Sequence, residues 1–303
     1  WAAYSTDARP EGVTIMQQVS SFQSTKTGRL YLVPTPIGNL DDMTWRAVET
    51  LKKVDLIAAE DTRHTALLLR HFDIQTPEIS FHEHNTEARL PELLAKLESG
   101  TTIAQCSDAG MPSISDPGKE LVKAAVQKGI PVVPLPGPNA GLTALIASGI
   151  NPQPFTFYGF LDRKPQQQVR QLMPLVNRTE TLIFYEAPHR LKRTLNSMVK
   201  AFGSDRQAVL ARELTKRYEQ FLRGSLAELL DWSKNNEVRG EFVVIVSGNP
   251  NPKNEETNQK QLSPIEQVKQ AVAAGEKPNT AIKHVARKSG ISRQTLYREY
   301  HQL

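Results

Sequence analysis

From Arg29 the chain alternates short apolar runs with segments whose apolar residues recur every three or four positions, the pattern of strands followed by amphipathic helices. Leu30 to Val33, Asp55 to Ala59, Glu78 to Phe81, Thr101 to Cys106 and Pro131 to Leu135 read as strands. Thr44 to Val54, Glu60 to Phe72, Thr86 to Ser99, Lys119 to Lys128 and Pro138 to Ser148 read as helices, the first with Thr44 as N-cap. This alternation predicts a mainly parallel sheet covered on both faces.

Gly149 to Pro154 is rich in turn formers and marks the expected start of a second α/β domain. Beyond it Phe155 to Tyr158, Thr181 to Tyr185, Gln207 to Glu213 and Phe242 to Val246 predict strands, and Gln166 to Val176, Leu191 to Phe202 and Ser225 to Lys234 predict helices. The expected organisation is a polar, disordered leader over 1–28 with Met16 as an alternative start, α/β domains over 29–149 and 150–248, a flexible linker over 249–262, and a small module over 263–303. In that module Thr280 to Lys288 and Ser292 to Tyr300 predict two helices about a turn at Ser289 to Ile291. Ala286, Gly290, Ile291 and Leu296 fall where a helix-turn-helix wants a small packing residue, a turn glycine and apolar anchors.

Composition narrows the class. At 303 residues, with 39% hydrophobic and 23% charged residues, the chain has room for two soluble domains and an appendage. No run approaches the roughly 18 apolar residues of a membrane span and no signal-peptide pattern opens the chain, so a cytoplasmic protein is expected. The single cysteine, Cys106, excludes an internal disulfide and a cysteine-cluster zinc site; ending a strand, it predicts a buried thiol. Residues 263–303 hold seven Lys or Arg against three Glu, so they carry nearly all of the net charge of +5 and point towards a polyanion.

Three loops at strand ends hold the candidate chemistry. Ser107 to Gly118 spends a dozen residues, with two Gly, two Pro and two Asp, where a tight connection needs roughly two to six. Val33 to Leu40 and Pro134 to Ala140 are likewise proline-braced, and all three fall on one rim, the edge at which open α/β sheets bind ligands. Neither G-x-G-x-x-G nor G-x-x-x-x-G-K-[ST] occurs, which disfavours dinucleotides and nucleoside triphosphates. The pair His82 and His84 lacks a third ligand nearby, so no metal is expected.

These loops, together with Glu60-Asp61-Thr62-Arg63, Phe81-His82-Glu83-His84-Asn85 and Tyr185-Glu186-Ala187-Pro188-His189-Arg190, resemble the tetrapyrrole (corrin/porphyrin) methylase superfamily, and in wording its ribosomal RNA branch. The resemblance implies two α/β domains with S-adenosylmethionine in the cleft between them, usually in a homodimer, and methyl transfer to a cytidine ribose 2′-oxygen of small-subunit rRNA. By position it assigns the cofactor to Ile37 and Gly38, to Gly110, Pro112, Ile114 and Ser115, and to Pro138 and Ala140, with Tyr158, Ala187, Pro188 and Glu241 from the second domain. Met111 stands where tetrapyrrole enzymes usually carry Asp, which speaks against a corrin substrate.

A ribose hydroxyl is a weak nucleophile, so a positioned carboxylate or histidine should take its proton. Asp61, His82, Glu83, His84, Glu186 and His189 are the candidates, with Arg63 and Arg190 for phosphate; Glu60 and Glu186 also fit as structural partners of nearby arginines. Arg190, Arg287, Lys288, Arg293 and Arg298 are candidate RNA contacts. Two other readings stay open on the residues alone: a methyltransferase for a tetrapyrrole or other small molecule, and a ligand-responsive nucleic-acid regulator.

Overall fold

The computed structural model describes residues 16–22, 26–114, 116, 118–252, 263–273 and 275–301. Residues 1–15 and 23–25 of the expected leader, Ser115 and Pro117 of the long loop, and residues 253–262 of the expected linker lie outside the described residues. Among the described residues no helix is long and apolar enough to cross a membrane.

The first sheet contains β1 (Leu30–Leu32), β2 (Leu56–Ala59), β3 (Glu78–Ser80), β4 (Ile103–Cys106) and β5 (Val132–Pro134) in the order β3-β2-β4-β1-β5. Every neighbouring pair is parallel, as the alternation requires. Helices α1 (Trp45–Lys53) and α2 (Thr62–His71) bury Ala47, Val48, Leu51 and Leu69 on one face. On the other, α3 (Thr86–Glu98) and α4 (Gly118–Gln127) bury Leu93, Leu97, Leu121 and Ala125. Thr44 caps α1 by accepting from the Ala47 N–H at 3.1 Å. All four residues of β4 are buried, which is why its sequence is a near-continuous apolar run.

The next helix, α5 (Ala140–Ser148), precedes the turn-rich break yet belongs by packing to the second sheet. That sheet holds β6 (Phe155–Phe160), β7 (Thr181–Glu186), β8 (Gln207–Arg212), β9 (Gln220–Ser225) and β10 (Phe242–Val246) in the order β6-β7-β10-β8-β9. Only β6 and β7 run parallel; the remaining pairs are antiparallel. Strand alternation sends Leu182, Phe184, Leu210 and Val244 to one face, under α6 (Pro165–Leu172), α7 (Pro188–Phe202) and α8 (Leu226–Asn235). It sends Ile183, Val209, Ala211, Val243 and Ile245 to the other, against Ala144 and Leu145 of α5. The described residues up to Asn249 therefore form one compact unit with two sheets, and Gly149 ends α5 at φ 81°.

The chain from Pro250 is a separate unit. It contains α9 (Pro264–Ala273), α10 (Pro278–Ser289) and α11 (Arg293–His301). Gly290 ends α10 at φ 71°, the left-handed conformation expected of a C-terminal glycine. Ala286 and Leu296 are buried with Val268, Ala281, Ile282 and Val285. The unanticipated α9 supplies Val268, so the two expected helices have a third to pack against.

Candidate functional site

The loops after β1, β4 and β5 converge on Gly110. Thr35 and Gly110 exchange two backbone hydrogen bonds of 3.0 Å, and the Thr35 hydroxyl donates to the Ser107 carbonyl at 3.1 Å. Gly110 has φ +77°, and a Cβ there would lie 3.4 Å from Ile37 Cγ2 and 3.6 Å from the Pro138 carbonyl oxygen. Asp116 braces the long loop from within, accepting from the N–H groups of Ser113 (2.6 Å) and Gly118 (2.9 Å) and from Gln105 Nε2 (3.1 Å). Burial nevertheless pushes its carboxyl above the usual range.

These loops face the second sheet across a cleft of about 420 Å³, a size typical of small-molecule sites. Of the expected cofactor residues, Ile37, Gly110, Ile114, Ala140, Ala187 and Glu241 line it, and so does Met111. Gly38 lies just outside the lining at φ +155°, where a Cβ would strike the Lys216 side chain. Pro112, Pro138 and Pro188 support the lining without joining it, and Pro188 occupies N1 of α7. Tyr158 is turned away, its ring 5.4 Å from that of Phe184 in the second core. Across the cleft the Tyr185 hydroxyl accepts from the Gly141 N–H at 3.0 Å, tying β7 to the start of α5. Lys216 joins Glu213 (3.1 Å) and Glu241 (2.8 Å) on the same wall.

The expected acid–base groups are placed differently from their sequence reading. Asp61 caps α2, and Arg63 engages both carboxylate oxygens, at 3.0 and 2.6 Å. Those bonds hold the Asp61 carboxyl well below the usual carboxylate range, which makes it a poor proton acceptor. His82 and His84 do not share a strand face, because β3 ends at Ser80 and they follow in a turn pinned by Asn85, whose Oδ1 accepts the His82 N–H at 2.9 Å. Glu83 and His84 are exposed. Glu186 borders the cleft but is fully buried: Oε1 accepts from the Ala187 N–H (2.9 Å) and pairs with Arg190 Nε (3.1 Å), while Oε2 accepts from the Thr194 hydroxyl (2.5 Å). Arg190 also donates to the carbonyls of Leu161 (2.5 Å) and Asp162 (3.0 Å). Its guanidinium is committed within the fold, so the phosphate contact expected of it is corrected to a structural one.

Sequence reasoning passed over Glu60, Asp108, Asp116, Lys216, Phe160 and Tyr185 as cleft residues. Glu60 Oε2 accepts from the Asp108 N–H at 3.1 Å, and burial, reinforced by Asp108, Asp116 and Asp61, raises its carboxyl above the usual range. Asp61, His64 and Asp108 bring their side-chain atoms within 4.8 Å of one another, but the Asp61 N–H and His64 Nδ1 (3.1 and 3.5 Å) already engage Asp108, so we assign no cation there. Cys106 is buried and its thiol is pushed up to about 12, which makes it inert. In the separate C-terminal unit Arg287, Lys288, Arg293 and Arg298 are all exposed.

Residues 29–230 match the family described as tetrapyrrole (corrin/porphyrin) methylases. The ribosomal RNA small subunit methyltransferase I of Streptococcus pyogenes serotype M18 is 53% identical over 289 residues, covering 95% of this chain and 100% of that protein. The protein of the same name from Bacillus subtilis is 49% identical over 289 residues, covering 95% and 99%. Among solved structures, cobalt precorrin-4 methyltransferase aligns with a TM-score of 0.56 at 16% identity, covering 72% of this chain and 94% of that one, a likeness of fold. The fold, the three converging loops and these relatives together establish that the chain belongs to the tetrapyrrole (corrin/porphyrin) methylases, in the branch of the ribosomal RNA small subunit methyltransferase I proteins.

Proposed function

We propose that this protein transfers the methyl group of S-adenosylmethionine to the 2′-oxygen of a cytidine in small-subunit ribosomal RNA, acting in the cytoplasm as a homodimer. The observation that carries this reading is the cleft at Gly110: a backbone cradle without side-chain bulk, flanked by Ile37 and the Pro138 carbonyl and facing Tyr185 and Ala187. The names of the relatives at 49–53% identity direct that cleft to ribosomal RNA rather than to a tetrapyrrole.

When bound, S-adenosylmethionine supplies a methyl group made electrophilic by its sulfonium. The chain's part is to hold donor and acceptor in line in a site that excludes water, which is where most of the acceleration of such a displacement originates. Ile37, Gly110, Ile114 and Ala140 form one wall, and Ala187 and Glu241 the other, with Gly38, Pro112, Pro138 and Pro188 setting the loop shapes. Arg63 and the exposed Arg287, Lys288, Arg293 and Arg298 suit contact with RNA phosphates. Leu142 and Ile146 of α5 are exposed, Ile146 at 81%, which supports a second copy covering that helix.

Incubating the protein and methyl-labelled S-adenosylmethionine with small ribosomal subunits or a tetrapyrrole precursor tests the reading. We expect label in the rRNA alone; label in the tetrapyrrole alone would contradict it.

A further inference from the structure

We propose that Glu60 is the group that takes the proton of the attacking ribose hydroxyl. The inference rests on the reading of methyl transfer to a 2′-oxygen given above. Strand order supplies the first argument. The cofactor loops follow β4, β1 and β5, while β2 lies on the far side of β4 and β3 at the sheet edge. Glu60, directly after β2, thus sits between the long cofactor loop and the β3 edge of the sheet, the side on which this proposal places the incoming RNA. The Asp108 N–H joins it to that loop at 3.1 Å.

Elimination supplies the second argument. Among the carboxylates lining the cleft, Asp116 has both oxygens bound by backbone or amide N–H groups, and Glu186 has both bound by Ala187, Arg190 and Thr194. Asp108 is engaged by the Asp61 N–H and His64, and Glu241, its Oε2 paired with the Lys216 ammonium, has a side chain 79% exposed to solvent. Glu60 accepts one bond on Oε2, and among the described residues its Oε1 takes none. In the step, the ribose oxygen bonds to the methyl carbon, the carbon–sulfur pair stays on sulfur to leave a neutral thioether, and the hydroxyl proton passes to Glu60 Oε1.

The surroundings suit a base. Asp61 from the start of α2 and Asp108 and Asp116 from the long loop face Glu60, with Arg63 and His64 drawn towards Asp61 and Asp108. Burial and these like charges bring the Glu60 carboxyl closer to neutrality, where a general base is most effective.

Glu60→Gln and Glu60→Asp test the assignment on small ribosomal subunits across pH, with S-adenosylmethionine affinity measured separately by calorimetry. We expect the Gln variant to lose about a hundredfold or more in kcat, to lose the acid limb of the pH profile, and to keep the wild-type affinity for S-adenosylmethionine. The Asp variant should recover part of the rate together with that limb. Wild-type kcat in the Gln variant, or a loss of cofactor affinity that accounts for the loss of rate, would overturn the assignment. An inactive wild type under the same conditions would instead overturn the parent reading, and this inference with it.

Discussion

Thr35 and Gly110 exchange two backbone hydrogen bonds of 3.0 Å, so the loops after β1 and β4 meet as a single ladder rung across the rim of the first sheet. Gly110 holds φ +77° there, a conformation that costs other residues roughly 1–2 kcal/mol. Gly110→Ala should therefore destabilise the fold by about 1 kcal/mol in urea denaturation. Gly110→Val adds methyls against Ile37 and the Pro138 carbonyl, and should weaken S-adenosylmethionine binding at least about tenfold by calorimetric titration, or roughly 1.4 kcal/mol. Unchanged affinity in the Val variant would show that this rung is remote from the cofactor.

Two arginines of similar sequence context should behave oppositely. Arg190 has a side chain only 13% exposed and is paired with a Glu186 side chain at 0%, whereas Arg63 is 87% exposed. Removing Arg190 leaves a buried carboxylate without its counter-charge, so Arg190→Ala should cost about 3–5 kcal/mol. Arg63→Ala should leave the denaturation midpoint in place and instead weaken binding to ribosomal subunits. Equal midpoints for the two variants would contradict the structural role given to Arg190.

The placement of Glu60 also has a consequence for stability. Burial raises its carboxyl, so the folded protein binds this proton more tightly than the unfolded chain does. Stability should therefore fall as pH rises from the ordinary value of 4.5 through the higher folded value. Glu60→Gln removes that dependence, and the variant should melt higher than wild type at neutral pH while being less active, a trade common at functional sites. A lower melting temperature at neutral pH would contradict this account.

Much of this architecture was legible in the sequence because parallel strands buried on both faces read as near-continuous apolar runs, as Ile103–Cys106 does but for Gln105. Strand β9 escaped because Gln220–Ser225 is a half-exposed edge strand without such a run. Helix α9 escaped because it buries one residue fully, Val268, and that only against α10 and α11. The helical pattern of α5 was plain, but which sheet it covers depends on tertiary packing that no local pattern encodes. In the site, the three loops stood out by their glycines and prolines, whereas the individual residues on them were assigned by the family resemblance. Glu60 and Asp61 are adjacent acids that sequence alone cannot separate; the structure gives Asp61 to Arg63 and leaves Glu60 on the cleft.

The C-terminal unit should act through charge. Replacing Arg287, Lys288, Arg293 and Arg298 with serine should weaken binding to small ribosomal subunits and lower the slope of log affinity against log salt by about 3, at roughly 0.7 per phosphate contact. Affinities measured at several salt concentrations decide this, and an unaltered slope would leave the unit without a phosphate-binding role.

The most direct test of the central claim is to digest the labelled small-subunit rRNA to nucleosides after reaction with methyl-labelled S-adenosylmethionine and to identify the modified one by mass spectrometry. We expect the label in 2′-O-methylcytidine. Label on a base carbon or nitrogen, or none in the RNA, would contradict the account.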